Sequence, residues 1–275
     1  MPPETAERLA DHTSLRLGGP AAAWVRATTE QELTEALTTA AAPVLVLGGG
    51  SNLVVADAGF DGTVVALNSR GIDVRSDPEG GGVVIRARAG EPWDALVSRA
   101  VESGWSGIEA LSGIPGRVGA TPVQNVGAYG QEVSQTIASV QAWERVAARE
   151  LTLPSAECRF GYRTSRFKAD PSRHVVVSVT FRLRRARLGS PVSYAELART
   201  LGVQLGRDGR QSAGVAAHPR EVAATGVGRM AGRGHVEEDV GEGGQRAVGM
   251  GAAAAAARVQ QQDAGRQAGE QAQLV

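Results

Sequence analysis

Up to about Leu205 the apolar positions follow two periods, one that of helices and one that of strands. Thr29-Glu30-Gln31-Glu32 has the form of a capping box, and Leu33, Ala36, Leu37 and Ala40 follow at helical spacing. A strand should come next. Pro43 to Leu47 (PVLVL) is a short, continuous apolar run closed by glycines, as a buried strand would be, and Thr63 to Leu67 (TVVAL) is another. From Glu91 to Ser103 the side chains of Trp93, Leu96, Val97, Ala100 and Val101 share one helical face, with Pro92 near the first turn and Gly104 placed to end it. Val83 to Arg88 (VVIRAR) and His174 to Leu183 (HVVVSVTFRL) read as strands, the second with partial alternation. The order predicts a mixed α and β domain without internal repeats.

Beyond that point the pattern stops. All 4 Trp, 3 Tyr and 4 Phe lie at or before Tyr194, and Gly206 to Gln273 holds no Leu, Ile, Phe, Tyr or Trp. Ordering backbone costs roughly 1–2 kcal/mol per residue, which such a segment cannot offset by apolar burial. The expected division is therefore an ordered domain over 9–205, in two lobes of roughly 9–70 and 71–205, and a low-complexity tail over 206–275. Basic residues are almost all Arg, Lys168 being the single lysine, and Ala and Gly abound, as a GC-rich coding sequence would give. Three accounts fit the abrupt change near residue 206: a slipped reading frame, an in-frame deletion and a natural disordered extension.

Charge and cysteine content narrow the function classes. Lys+Arg and Asp+Glu are equal at 29 each, and no basic stripe interleaves with aromatics, so the electrostatic footprint of a nucleic-acid binder is missing. The lone Cys158 excludes an intramolecular disulfide and a thiolate metal cluster, and His12, His174, His218 and His235 show no metal-ligand spacing. No signal-peptide pattern opens the chain and no run of about 18 apolar residues crosses it, which reads as a cytosolic protein without membrane insertion.

Two glycine-rich stretches carry the candidate chemistry. Leu47 to Leu53 (LGGGSNL) directly follows a predicted buried strand; Gly48, Gly49 and Gly50 let the backbone turn and expose successive N–H groups, as a pyrophosphate cradle requires, while Ser51 and Asn52 can add hydrogen bonds. It is neither a Walker A loop nor a Rossmann fingerprint, and taken alone it is as readily an ordinary tight turn. The second stretch, Leu111 to Gly130 (LSGIPGRVGATPVQNVGAYG), has five glycines, two prolines and almost no charge. A solvated loop would carry more charge, so this one should line a large uncharged ligand, with Gln124 and Asn125 able to read the polar edge of a ring system.

GGGSN and SGIPGRVGATPVQNVGAYG, followed by FGYRTSRFK at Phe160 to Lys168, together resemble the FAD domain of the UDP-N-acetylenolpyruvoylglucosamine reductase family. The opening HTSLRLGG at His12 to Gly19 is similar too, except that His12 stands where the family usually has Asn. The resemblance implies a two-lobed α+β FAD-binding fold of the vanillyl-alcohol-oxidase type. It also implies that Gly48, Gly49, Gly50, Ser51, Asn52 and Leu53 hold FAD, together with Ser112, Ile114, Gly116, Gly119, Ala120, Thr121, Gln124, Asn125, Gly127 and Ala128. The implied reaction uses NADPH to reduce FAD and then delivers hydride to the enolpyruvyl double bond of a UDP-sugar, in peptidoglycan precursor synthesis.

An enol ether accepts hydride poorly unless its carboxylate is held by a cation, and the adjoining carbon must then be protonated. Arg163 matches the family arginine that grips that carboxylate, a task suited to a planar fork that stays charged. Read without the family, it is one surface arginine among many. Tyr194 resembles a tyrosine that some members fold over the substrate, or is a packed aromatic, and Tyr129 either lines the flavin site or is an ordinary half-buried core tyrosine. Cys158 reads as a small buried residue, and Lys168 as a phosphate-reaching or surface cation. The family's proton donor is a serine in a G-S-F-F-x-N-P-like motif and a glutamate near the C-terminus completes its site; neither is found here. Ser212-Ala213-Gly214-Val215 is the nearest string, with no aromatic pair or Asn-Pro after it. A flavin-binding remnant without turnover and another FAD oxidase of the same fold therefore stand as alternatives to a working reductase.

Overall fold

The computed structural model describes residues 7–186, 189–192 and 194–201. The expected boundary near Leu205, the tail over 206–275, and Ser212, His218 and His235 within it lie outside the described residues.

Strand β1 (Ala21–Ala27), helix α1 (Glu30–Thr39), β2 (Val44–Leu47) and β3 (Phe60–Leu67) form the first lobe, a parallel sheet in the order β1-β3-β2. The helix starts where its cap dictates: Thr29 Oγ1 accepts from the Glu32 N–H at 3.0 Å, and the Glu32 carboxylate accepts from the Thr29 N–H at 3.3 Å. Both faces of this sheet are buried, which explains the continuous apolar runs of β2 and β3. Trp24, Leu47, Val64 and Ala66 face a small core closed by Leu9, while Ala27, Val65 and Leu67 join Leu33 and Ala36 of α1 in the main core.

The second lobe follows. It contains β4 (Ile72–Ser76), β5 (Val83–Arg88), α2 (Trp93–Glu102), β6 (Trp105–Ser106), β7 (Gly127–Ala128), β8 (Gln131–Glu132), β9 (Ile137–Glu144), β10 (Arg149–Pro154), α3 (Arg166–Ala169), β11 (His174–Arg185) and α4 (Ala195–Leu201). Its antiparallel sheet runs β10-β9-β11-β5-β4, with β6 paired to one end of β11. Helix α2 lays Trp93, Leu96, Val97 and Ala100 on the sheet, and the Trp93 and Phe181 rings meet with centroids 5.9 Å apart. The fold class expected from the resemblance, two-lobed α+β, is the one observed. Strands β1, β4 and β6 to β10 are not expected from the sequence pattern. Among the described residues no helix is long and apolar enough to cross a membrane.

Candidate cofactor cleft and substrate-facing cluster

The two glycine stretches come together. The first, Gly48 to Leu53, leaves the end of β2; the second runs from Ser112 to Ala128 after α2. A Cβ on Gly49 would lie 3.0 Å from Gly116 Cα, so the loops touch backbone to backbone. Ser51 Oγ adds a long hydrogen bond to the Pro115 carbonyl at 3.4 Å. Gly50 has φ +62°, and a Cβ there would run into the carbonyl of His12, so glycine alone fits this turn. Leu53 anchors the first loop on the small core, and Asn52 is engaged within the protein.

Segment 89–94 fixes the second loop in turn. The Trp93 N–H donates to Gly116 O (3.1 Å), Val118 N–H to Glu91 O (2.9 Å) and Gly119 N–H to Ala89 O (2.9 Å), while Trp93 Nε1 donates to Leu111 O at 2.9 Å. Asp94 Oδ1 accepts from Ser112 Oγ at 3.1 Å and from the Gly113 N–H at 2.7 Å. Ile114 packs on the main core, Ala120 and Thr121 continue a 3-10 turn that starts at Val118, and Thr121 Oγ1 donates back to Val118 O at 2.8 Å. Gln124 is half-buried.

Asn125 has a different task from the ring-edge reading that its sequence position suggests. It is buried with φ +46°, and both ends of its amide stay within the protein: Nδ2 donates to Glu132 Oε2 (2.7 Å) and Gly161 O (3.0 Å), and Oδ1 accepts from the Ser134 N–H (3.1 Å). What it can offer a ligand is its backbone.

Through this asparagine the 160–168 segment joins the second loop. Ser165 caps α3, accepting from the Phe167 and Lys168 N–H groups, and donates to Val123 O at 2.6 Å. Arg163, exposed and with φ +53°, donates from Nη2 to Gly127 O at 2.9 Å, and Lys168 Nζ donates to the Arg163 carbonyl at 3.1 Å. Tyr129, two residues past Gly127, meets Tyr194 edge-on. Arg163, Tyr129 and Tyr194, far apart in sequence, thus gather beside the end of the second loop.

A cavity of about 360 Å³ opens beside Gly48 and Gly49, lined also by His12, Trp24, Arg26, Asn68 and Arg117. Sequence reasoning missed this lining, because its members come from four separate segments, and the two that lie within motifs, His12 and Arg117, sit in stretches read for their resemblance and their glycines. Trp24, 1% exposed, keeps a buried Nε1 without a hydrogen-bond partner, and so does Arg117 at Nε. Two orphaned donors beside a glycine cradle are what a ligand rich in acceptor oxygens would satisfy, and the phosphates of FAD fit that description. His12 stacks on Trp24, ring centroids 4.4 Å apart, and its Nε2 lies 2.7 Å from Glu7 Oε2. Among the described residues no three His, Cys, Asp or Glu side chains converge as a metal site would need.

The chain is similar to known flavoproteins. Residues 21–150 match the family model of the FAD binding domain. The UDP-N-acetylenolpyruvoylglucosamine reductase of Thermobifida fusca is 52% identical over 201 residues, covering 72% of this chain and 56% of the relative. That of Salinispora arenicola is 50% identical over 207 residues, covering 74% and 56%. The crystal structure of the corresponding reductase from Thermus caldophilus superposes with a TM-score of 0.54 at 30% identity, covering 68% of this chain and 64% of that one. Over nearly three quarters of its length the chain is homologous to these reductases, and it spans 56% of the length of the two curated relatives.

Proposed function

We propose that this chain carries the FAD-binding part of a UDP-N-acetylenolpyruvoylglucosamine reductase, a cytoplasmic FAD-dependent oxidoreductase of peptidoglycan precursor synthesis that draws hydride from NADPH. The 9–205 stretch is the two-lobed cofactor domain, and residues 206–275 stand where the family's substrate-closing domain would begin. The observation that carries this reading is the placement of Arg163 against Gly127, which holds a permanent cation beside the loop expected to hold the flavin.

FAD, when bound, supplies the two-electron carrier between NADPH and the enolpyruvyl double bond. The protein's part is positioning and charge. Gly48 to Ser51 and the segment 112–128 cradle the dinucleotide through backbone groups; the Arg163 guanidinium pairs with the substrate carboxylate and stabilises the negative charge that develops next to it. Tyr129 and Tyr194 supply an aromatic wall for the UDP-sugar. Protonation of the substrate carbon needs an acid, and the family's serine motif is absent from the sequence, so the chain should bind FAD yet turn over poorly. Losing a general acid costs about 10²–10⁴-fold in rate.

Two measurements test this. Gel-filtered protein should be yellow; a colourless protein that takes up no flavin ends the FAD reading. After anaerobic reduction with NADPH, mixing with the enolpyruvyl UDP-sugar in a stopped-flow instrument should give reoxidation far below an ordinary turnover of order 10 s⁻¹. Reoxidation at that rate would mean that the tail or another residue supplies the acid. Slow NADPH oxidation with oxygen as acceptor is the residual activity expected.

A further inference from the structure

In the cavity beside Gly48 and Gly49, no carboxylate among the described residues forms an ion pair with Arg117. The cavity's charged lining is Arg26, Arg117 and Asp11. Glu7, which lies close by, is already engaged by both His12 Nε2 at 2.7 Å and Arg26 Nη2 at 3.3 Å. Glu91 accepts from the Gly71 N–H at 2.6 Å and pairs with Arg70 at 3.7 Å. Arg117 enters between these groups with a partner for none of its donors among the described residues: its Nε is buried and unsatisfied, and its side-chain stem passes Gly48. Burial, and after it the nearby Arg70, hold its guanidinium below the ordinary arginine range, with Glu91 opposing. A guanidinium stays charged in such a place, so it calls for an anion. Trp24, whose Nε1 is likewise buried and unpartnered, lines the same space.

We infer that Arg117, helped by Trp24 Nε1, grips the diphosphate of the dinucleotide and makes this cleft select FAD over flavins that lack a diphosphate. The inference rests on the FAD reading above. It assigns a chemical role to a side chain in a loop otherwise notable for its glycines. A phosphate offers acceptor oxygens in the geometry that matches the planar fork, and the Gly48 to Gly50 turn lies alongside to add backbone N–H groups. Riboflavin, which ends at the ribityl chain, cannot reach the guanidinium; its affinity should be blind to it.

The test titrates FAD and riboflavin separately into the full chain by flavin fluorescence, for wild type, Arg117→Gln, Arg117→Lys and Trp24→Phe, with thermal melting of each apoprotein alongside. Arg117→Gln should weaken FAD about 10- to 100-fold, the scale of charge-assisted hydrogen bonds, and change riboflavin less than about 2-fold. Arg117→Lys should recover part of the loss, Trp24→Phe should weaken FAD by about 5-fold, and the salt dependence of FAD binding should flatten in Arg117→Gln. An unchanged FAD affinity in Arg117→Gln overturns the inference while leaving the FAD reading intact. Equal losses for FAD and riboflavin, with a lowered melting temperature, overturn it in favour of a purely structural arginine. If wild type binds neither flavin, both readings fall.

Discussion

The ring of Tyr194, just ahead of the last described helix, meets that of Tyr129 at the end of the second glycine loop, with centroids 6.0 Å apart and planes at 88°. Edge-to-face pairs add about 0.5–1.5 kcal/mol beyond their buried area, and Tyr194 is 51% exposed, so the lower end applies here. A double-mutant cycle with Tyr129→Leu and Tyr194→Leu, read by urea unfolding, should give a coupling of about 0.5 kcal/mol. Zero coupling would mean that the two rings are neighbours without mutual support.

Asn125 offers a sharper test, because its backbone and its side chain can be separated. Asn125→Ala leaves the Ser134 N–H and the Gly161 carbonyl short of a partner and puts at positive φ a residue that tolerates the left-handed region less well than Asn; each unsatisfied buried group costs about 1–3 kcal/mol. Asn125→Gly relieves the φ alone. Urea unfolding should rank wild type above Asn125→Gly above Asn125→Ala, and equal losses in the two variants would show that the backbone conformation contributes nothing.

Glu109 ties the chain beyond β11 to the foot of the second loop. Its carboxylate accepts from Ser106 Oγ, the Gly107 N–H and the Ser190 N–H. Burial alone would push the carboxyl up, but the hydrogen bonds from Gly107 and Ser190 outweigh it and hold Glu109 below the ordinary glutamate value. A depressed folded value stabilises the protein at pH above the unfolded value of about 4.3 and loses that contribution as pH falls toward and through the folded one. Chemical denaturation between pH 7 and pH 3 should therefore show wild type losing stability in the acid range, and Glu109→Gln losing less of it. Parallel curves would refute the assignment.

Cys158 should be inert. It is fully buried, its Sγ lies 3.5 Å from Pro154 O, and burial pushes its thiol up to about 11. Since the thiolate is the nucleophile, iodoacetamide at pH 8 should leave native protein unlabelled by mass spectrometry and label it fully in guanidinium. Rapid labelling of the native form would contradict the burial.

What the sequence disclosed was whatever is local or repetitive. The Thr29 cap is written within four residues, and β2 and β3 announce themselves because a parallel sheet buried on both faces needs unbroken apolar runs. Strand β9 hides its pattern: Gln141 and Glu144 look like solvent positions, yet Gln141 meets Arg86 and Ser178, and Glu144 is buried against the turn at Val146 and Ala147. Strand β4, an edge strand mostly open to solvent, shows only Ile72 and Val74 in alternation, too short a pattern to announce a strand. In the site, glycines were readable as backbone devices. The roles of Trp24, Arg117 and Glu109 depend on which distant groups surround them, and no spacing encodes that.

The clasp that Asn125 makes between the second loop and Gly161 has a geometric meaning beyond stability. Because Ser165 and Arg163 fasten the same two segments at Val123 and Gly127, three bonds within a few residues act as a gauge block. The guanidinium of Arg163 is spaced from the second loop by fixed lengths, not by the breathing of two separate loops. Reach and aim at this corner are thereby machined into one piece, and a substitution that loosens any one bond would blur the arginine's position before it lowered the protein's melting point.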